Sequence, residues 1–500
     1  MHAPNVSGTL QGGWFDADIP ATASEGVPVT AAQDRIGRDT MLALVAMGLG
    51  VFVIANDFTA LSVAIPHIES DLDTDLSTAQ WVINGYALVF GVLIVTGGRL
   101  ADLFGRKQVF MIGTAIFGAC SLLGGLAPTV ELLIACRALM AIGGALMWPA
   151  ILGMTYAILP DSKAGLAGGL ILGVAGLGNA VGPLLGGVLT DGLSWRWVFF
   201  VNVPIALFAM AVTSRTVTES QVEAAERHLD WLGIITVSSG IVALLLALDE
   251  MPARGFADPL ILGLFAAAAL LLVAFAIVES RVGERALVPR DVLRNRQFTA
   301  AAITVLMMSA IFFSALLYLP QFFTKVLDWS ALRSGAGLLP LMGVFALTSF
   351  VAGSLYEGLG AKLIVSLGAA CLAVGIFVLS FLDAGTSYWS LVPGMVVLGA
   401  GVGLFYSSIT TAGVTALDPS RSSLAGGIIY MCQIAGGAVG LGVNTAIVTS
   451  ASTLTDGIST AFVVDAVLAV LGLLVALAFV GERSAHHAAH SPHWRHRAHA

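Results

Sequence analysis

The sequence predicts an all-α integral membrane protein with 14 transmembrane helices, arranged as two six-helix halves with two extra central helices. Three observations carry this prediction: an apolar composition, the number of long apolar runs, and an internal repeat with widely spaced copies. Of the 500 residues, 57% are hydrophobic and 11% are charged, whereas soluble proteins carry about 25% charged residues. No soluble fold hides so much apolar surface, so the chain is expected to lie in a lipid bilayer.

Long apolar runs recur along most of the chain. A helix that crosses the bilayer core needs about 20 consecutive apolar residues. The first run begins only near Met41, and no basic, cleavable signal precedes it, so the segment before it is expected to be a cytoplasmic tail. The fourteen predicted spans are 41–65, 80–99, 108–127, 132–157, 164–191, 197–214, 231–249, 259–279, 298–320, 334–355, 362–382, 388–411, 424–449 and 459–481.

Basic residues divide unevenly between the two sides of these spans. With both termini placed inside, 18 of the 23 Lys and Arg residues fall in inside segments, 4 fall outside, and Arg137 lies within a span. Cytoplasmic loops carry an excess of Lys and Arg. The sequence therefore predicts cytoplasmic termini and a multi-pass protein of the cell's inner membrane.

Two loops share one ten-residue pattern. Residues 98–107 read GRLADLFGRK and residues 353–362 read GSLYEGLGAK, and both fit G-x-L-x-acidic-x-x-G-x-K. The copies follow predicted helices 2 and 10, so two extra helices must separate the halves. Repeated halves are typical of secondary transporters, with the substrate path at their interface. The predicted divisions are an N-terminal tail, a first half, the extra helices with linkers, a second half and a His-rich tail, at 1–40, 41–215, 216–296, 297–482 and 483–500.

Several motifs together resemble a known family. The loop at 98–107 is similar to the signature between helices 2 and 3 of the major facilitator superfamily. Residues 169–187 fit G-x8-G-x3-GP-x2-GG, which is typical of its antiporter branches. Residues 195–204, WRWVFFVNVP, and 318–323, YLPQFF, also resemble the fourteen-helix drug:proton antiporters of the EmrB/QacA type. The resemblance covers residues 41–482 and implies the major facilitator fold.

The first repeated loop is a candidate gate. A turn at Gly105 needs permissive backbone angles, and an acid at the end of helix 2 can accept hydrogen bonds from a helix N-terminus. The resemblance implies that Asp102 meets the start of helix 13, near Ser422 and Ser423, and holds the cytoplasmic side shut. The candidate gating residues are Gly98, Asp102, Gly105, Arg106 and Lys107.

Predicted helix 5 carries small residues at four-residue spacing. Such stripes let helix backbones approach closely, and a proline in the helix permits a bend. The resemblance implies that this face packs against helix 10, forming a seam between the halves that influences leak and direction. The antiporter-motif residues are Gly169, Gly178, Gly182, Pro183, Gly186 and Gly187.

Ionisable residues inside apolar runs are costly, at about 2.5–3.5 kcal/mol on insertion scales, and are functional hypotheses by default. Asp57 in helix 1 and Arg137 in helix 4 lie at similar depths, so they can meet in one cavity and serve in proton coupling. There, a cationic substrate could compete with the proton for Asp57. Asp465 in helix 14 is expected to matter less, because that helix is usually peripheral in the family's fold.

Neutral polar residues near the expected cavity are candidates for substrate contacts or for ties between helices. The six histidines of the C-terminal tail are expected to bind metal only adventitiously. No metal site, cofactor or nucleic-acid partner is expected. The candidate cavity residues are Asn84, Tyr86, Tyr318, Gln321 and Gln433.

The resemblance implies a proton-driven antiporter that exports small amphipathic or cationic compounds such as drugs. Walker A, GxSxG and HExxH motifs do not occur in the sequence, so an ATP-driven pump or an enzyme is not indicated. A transporter of a specific metabolite, lipid or peptide is an alternative. A non-transporting membrane receptor or scaffold is another, although the predicted loops are short for one. The expected partners are a small-molecule substrate, protons and the bilayer.

Overall fold

The computed structural model describes residues 37–219, 230–255, 257–282 and 286–479. Within these ranges, fourteen helical segments are long and apolar enough to cross a membrane, which confirms the predicted number. Two spans contain a break, where α6 leads into α7 and α12 leads into α13, and α10 is a short linker helix. The helices are α1 Arg38–Asp71, α2 Leu76–Phe104, α3 Arg106–Gly125, α4 Val130–Ile158, α5 Ala164–Gly192, α6 Trp197–Phe200, α7 Asn202–Thr216, α8 Trp231–Arg254, α9 Pro259–Val282, α10 Arg290–Arg294, α11 Arg296–Lys325, α12 Ala331–Ala336, α13 Leu339–Leu359, α14 Ala361–Leu379, α15 Tyr388–Val414, α16 Ser422–Ser450 and α17 Leu454–Phe479.

Several helices extend past their apolar runs. The first was predicted to end at residue 65 but continues to Asp71, and the second continues to Phe104. Helical hydrogen bonding does not stop where hydrophobicity stops; it stops where a residue leaves the helical conformation. Gly105 ends α2 with a φ of 105°, a value that favours glycine. This extension places the repeated loop's acidic residue inside a helix.

The helices form two halves and a central pair. The first half comprises α1–α7 and the second comprises α11–α17. Helix α5 packs against α13 and α15, and α16 packs against α2 and α4, so two seams join the halves. Helix α8 packs against α9 and also contacts α2 and α16. Only 11% of the apolar stretch of α9 is buried, so this helix presents most of its surface to lipid.

Contacts between helix ends define two faces of the molecule. The terminal face is the one on which α1 begins and on which Gly105 and Pro419 lie; the opposite face carries Asp71 and Tyr388. Successive spans alternate in direction between these faces. The predicted tail at 1–40 lies almost wholly outside the described residues, and the tail at 483–500 lies wholly outside them. The domain boundaries stay a prediction.

Candidate transport site

A buried carboxylate joins the two halves at the terminal face. Asp102, at the end of α2, accepts hydrogen bonds from the backbone N–H groups of Ser423 at 3.3 Å and Leu424 at 2.8 Å. These two groups belong to the first turn of α16, where backbone donors have no intrahelical partner and the helix dipole favours negative charge. Asp102, in the second span, thus contacts the start of the thirteenth span. Its gating role remains a proposal.

Arg106 and Lys107, in the same loop, also form hydrogen bonds to other helices. Arg106 lies 3.2 Å from the Asp102 carboxylate and donates to the backbone oxygens of Gly153, at 3.0 Å, and of Pro419. It therefore ties the start of α3, and through Asp102 the end of α2, to α4 in its own half and to the turn before α16. Lys107 instead donates to the Ser214 and Val217 carbonyls at the end of α7. We define the latch as Asp102, Arg106 and their partners at 419–424.

The second copy of the repeat makes the corresponding contact. Glu357, at the position equivalent to Asp102, accepts a hydrogen bond of 3.2 Å from the backbone N–H of Leu166 in the first turn of α5. A Cβ at Gly98 would lie 2.6 Å from the Ser423 oxygen, and one at Gly353 would lie 2.6 Å from the Gly165 oxygen. Each half therefore caps a helix of the other half on the terminal face, with a glycine permitting the close approach.

The glycines of α5 face two different helices, which corrects one sequence-based interpretation. A Cβ at Gly178, Gly182 or Gly186 would meet Phe52–Ala60 of α1, in the same half. A Cβ at Gly169 would lie 2.7 Å from the Ser349 oxygen of α13. The stripe at 178–186 therefore does not form the seam between the halves. The seam is formed by residues that lie one to three turns earlier in α5, such as Gly169. Those residues and the stripe at 178–186 lie on different sides of the helix.

The remaining motif residues of α5, Pro183 and Gly187, lie nearer the opposite face of the molecule. Pro183 lines a cavity, and a Cβ at Gly187 would meet the Leu332 side chain. The proline and the last glycine thus lie where α5 approaches the start of the tenth span, on the side away from the latch.

Asp57 and Arg137 form a buried ion pair within the membrane-spanning helices. Asp57 is 0% exposed and Arg137 is 1% exposed. The Arg137 Nη1 donates to Asp57 Oδ2, and its Nε donates to the Val82 carbonyl at 2.8 Å. The pair therefore joins α1, α2 and α4. A buried charge is tolerated only when it is paired and hydrogen-bonded, and this contact supplies a partner for both groups.

Two further residues complete this pair, and sequence reasoning assigned neither to it. The Asn202 Nδ2 donates to Asp57 Oδ1 at 3.3 Å and to the Ser121 hydroxyl at 3.2 Å. The Arg137 guanidinium lies 4.1 Å from the centre of the Tyr86 ring, a cation–π contact worth about 2 kcal/mol when desolvated. Asn202 lies in the quoted WRWVFFVNVP motif, and a lone Asn in an apolar run was the available signal.

Two cavities open between the halves. The larger has a volume of about 520 Å³ and is lined by residues such as Phe58, Asn179 and Gln321. The smaller has a volume of about 330 Å³ and is lined by residues such as Trp81 and Asn84, with three leucines of α8. Both share Phe313 and Leu441 as a common wall. Among the described residues, no charged side chain lines either cavity.

The structure places two of the five candidate cavity residues in the cavity walls. Asn84 and Gln321 line the cavities, whereas Tyr86, Tyr318 and Gln433 line neither. Tyr86 is fully buried under Arg137, and Tyr318 is 2% exposed, with its hydroxyl 2.8 Å from that of Thr445. Polarity within an apolar run shows that a side chain needs a partner; it does not show whether that partner is a substrate or another helix.

The ion pair also lies outside the cavity walls. Asp57 lines neither cavity, although its neighbour Phe58 lines the larger one. Direct competition between a cationic substrate and a proton for Asp57 is therefore not supported by this arrangement.

The cavities and the latch lie toward different faces. The lining residues of α1, α5 and α11 come from the half of each helix nearest the opposite face, at 58–63, 179–183 and 313–324. The latch closes the terminal face. The described arrangement is thus closed at the terminal face, with its cavities toward the opposite one.

Comparisons with known proteins agree with this architecture. The model of the Major Facilitator Superfamily matches residues 47–441 and 342–499. The solved human organic anion transporter MFSD10 (TETRAN) superimposes with a TM-score of 0.63 at 13% identity, covering 88% of this chain and 100% of that one. At that identity the likeness shows the fold alone.

Sequence relatives are more specific. The chain is 33% identical to the tetracenomycin C resistance and export protein of Streptomyces glaucescens, covering 84% of this chain and 77% of the relative. It is 32% identical to a puromycin resistance protein of Streptomyces alboniger, covering 87% of each. It is 33% identical to a multidrug transporter protein of Bacillus subtilis, covering 75% of this chain and 70% of the relative. The chain therefore belongs to the Major Facilitator Superfamily, within its drug-efflux transporters.

Proposed function

We propose that this protein exports small amphipathic compounds in exchange for protons. The observation that carries the proposal is that the larger cavity has no charged lining residue and that a buried ion pair, Asp57–Arg137, lies beside it. Phe58, which follows Asp57 on α1, lines that cavity. Cavities of about 300–1,000 Å³ suit drug-sized ligands, and the larger cavity has about 520 Å³. The names of the relatives, which refer to export and to resistance, support the same direction of transport.

The cavity walls favour uncharged amphipathic substrates. Polar groups such as Thr59, Asn179 and Gln321 stand among apolar side chains, so a ligand can bury its apolar part and keep a few hydrogen bonds. Lipophilic cations are the second class. They would rely on the rings of Trp81 and Phe313, which line the smaller cavity, through cation–π contacts.

Asp57 is the proposed proton carrier. Protonation would remove its charge, weaken the bond to Arg137 and free α1 to shift against α4. Phe58 and Thr59 follow on the same helix and line the larger cavity, so such a shift would reshape the substrate site.

The proposed orientation places the terminal face in the cytoplasm of a cell with an energised inner membrane. The excess of Lys and Arg on that side supports it. In this orientation, the latch separates the cavities from the cytoplasm, and opening the latch would admit substrate from inside. The order of events is substrate entry at the cytoplasmic face, closure of the latch and release outside.

The test uses purified protein in vesicles. A panel of uncharged and cationic amphipathic compounds is added, and proton movement is followed with a trapped pH dye. The wild type is expected to move protons when a substrate is added, and Asp57→Asn is expected to abolish this signal while still inserting. Asp191→Asn, which changes an exposed acid on α5, is the matched control.

Three outcomes separate the alternatives. Normal substrate-driven proton movement in Asp57→Asn would contradict the assignment of the carrier. Transport of one metabolite, lipid or peptide only, with none of the panel compounds, would favour a specific transporter. Binding without transport for every compound would favour a receptor or scaffold.

A further inference from the structure

A second buried carboxylate lies in the C-terminal half. Asp465 is 2% exposed and lies eleven residues after the start of α17, about 16 Å along the helix axis. Helix α17 packs against α11, α14 and α16. Helix α17 is peripheral, with 33% of its apolar stretch buried, but Asp465 lies on the side that packs against the other helices.

The partners of Asp465 are neutral. The Asn444 Nδ2 donates to both carboxylate oxygens, at 3.1 and 2.9 Å, and to the Ser314 hydroxyl at 2.9 Å. The Asn444 amide thus bridges the Asp465 carboxylate and the Ser314 hydroxyl. In the part of the chain that the structure describes, no Lys, Arg or His forms an ion pair with Asp465, in contrast to Asp57 with Arg137.

The titratable groups on the neighbouring helices do not supply a counter-charge. Tyr318 of α11 interacts electrostatically with Asp465 and is neutral at ordinary pH. The basic residues of α11 and α14 lie at the helix ends, and α16 contains no charged residue. Besides Tyr318, the titratable groups on these three helices are Arg296, Lys325, Lys362, Cys371, Tyr430 and Cys432.

Hydroxyl and amide side chains lie between the smaller cavity and the Asp465 carboxyl group. Thr445 lines the smaller cavity, and its hydroxyl lies 2.8 Å from that of Tyr318. Asn444, the chain neighbour of Thr445, donates to Asp465 and to Ser314, which lies one turn before Tyr318 on α11. Both pairs of groups cross the contact between α11 and α16, so polar side chains lie between the cavity wall and the carboxyl group in an otherwise apolar seam.

We propose that Asp465 is a second proton-binding site, which takes a proton from cavity water through Thr445 and Tyr318 and returns it the same way. A carboxylate without a cation inside a membrane protein is costly, and uptake of one proton as a carboxylic acid removes that cost. Asn444 and Ser314 can hydrogen-bond either form. This inference rests on the proposed proton-coupled export for its use, but proton binding itself can be measured without transport.

The first measurement is a pH-difference infrared spectrum of the purified protein. The C=O stretch of a protonated carboxyl group is expected in the wild type at mildly acidic pH and is expected to be lost in Asp465→Asn. Asp456→Asn, which changes an exposed acid on the same helix, is the control and should keep the band. Tyr318→Phe keeps the carboxyl group and should slow hydrogen–deuterium exchange at this band several-fold, because the relay hydroxyl is gone.

The second measurement is substrate-driven proton movement in vesicles. Asp465→Asn is expected to lower the number of protons moved per substrate without abolishing movement. An unchanged carboxyl band in Asp465→Asn would overturn the proposal, whether or not export is proton-coupled. If the wild type is proton-coupled, Asp465→Asn could lose the band and still move the same number of protons per substrate. That result would show that Asp465 binds a proton but takes no part in coupling, and it would overturn the proposed role in coupling. If the wild type moves no protons, the proposed function fails, and the infrared result still decides whether Asp465 binds a proton.

Discussion

The Asp57–Arg137 pair is unfavourable to bury and more unfavourable to break. Removing two charges from water costs several kcal/mol per ion even after relaxation, and their attraction offsets this only with good geometry and extra hydrogen bonds. Asn202, Val82 and Tyr86 supply those extra contacts. The charges were identifiable in the sequence because each interrupts an apolar run. Asn202 was not assigned to the pair, because nothing in a sequence shows which distant helix a side chain will face.

The stability of the pair gives the first prediction. Arg137→Leu leaves Asp57 buried without a partner and is expected to cost about 3–5 kcal/mol of stability. The double variant Asp57→Asn/Arg137→Leu is expected to recover most of that loss, because no uncompensated charge remains. Thermal unfolding in detergent, followed by tryptophan fluorescence, measures both. A double variant as unstable as Arg137→Leu alone would mean that the two charges are not energetically coupled.

At the scale of single helices, the two glycine stripes of α5 serve different contacts. The period of the glycines predicted close packing correctly, but a period identifies a stripe and does not identify the helix that fills it. Gly182 faces α1, next to the turn that carries Asp57, whereas Gly169 faces α13 across the seam between the halves. Substitutions in the two stripes should therefore have different consequences.

The second prediction separates the stripes. A Cβ at position 186 would lie 2.2 Å from the Ala60 backbone oxygen, so Gly186→Ala is expected to displace α1 and to lower stability by about 1–3 kcal/mol, as overpacking does. Gly192→Ala, with open space around it, should stay within about 0.5 kcal/mol of the wild type. Thermal unfolding compares the two. Equal stabilities would show that α1 does not pack on this stripe.

The third prediction concerns the close contact between α2 and α16 at Gly98. Because a Cβ at Gly98 would meet the Ser423 oxygen at 2.6 Å, Gly98→Ala is expected to hold the latch open. Spin labels at Gln108 and Ser420, both exposed on the terminal face, should report a longer distance between the halves. Gly358→Ala, where nothing lies near the added carbon, is the control. If both variants keep the wild-type distance, the contact does not gate the terminal face.

At the scale of the whole molecule, the sequence predicted the number of spans and the existence of two halves. Helix number follows from apolar length, which is a local property, and the repeat is legible in the ten-residue loops. The cavities could not be predicted, because they depend on how the halves tilt against each other. The part of α8 that lines the smaller cavity shows this, since an extra helix outside the repeat contributes to the site.

Orientation gives the fourth prediction. The 18-to-4 distribution of basic residues predicts that a reporter fused after Arg483 is cytoplasmic and that one inserted near Asp456 is external. An alkaline phosphatase fusion, active only outside, and a green fluorescent protein fusion, fluorescent inside, measure the two sites. The same side for both, or an external C-terminus, would contradict the assigned topology.

The closed latch and the cavities of the opposite face together give the last prediction. Ser62 is exposed and lines the larger cavity, so Ser62→Cys should react with a membrane-impermeant thiol reagent added from outside, and a transported substrate should slow the reaction. Thr114→Cys, at a fully buried position in α3, should not react. Labelling only from the cytoplasmic side would mean that the assigned orientation of the two faces is reversed.

Breaking the latch should change this labelling in a definite direction. A contact between a carboxylate and a helix N-terminus is worth about 0.3–1 kcal/mol, which corresponds to a shift of about two- to five-fold between two conformations. Asp102→Asn removes the charge that stabilises the state closed at the terminal face, so external labelling of Ser62→Cys should slow, by at most that factor. Faster labelling would mean that Asp102 stabilises the other state, because a contact can favour only the conformation in which it is made.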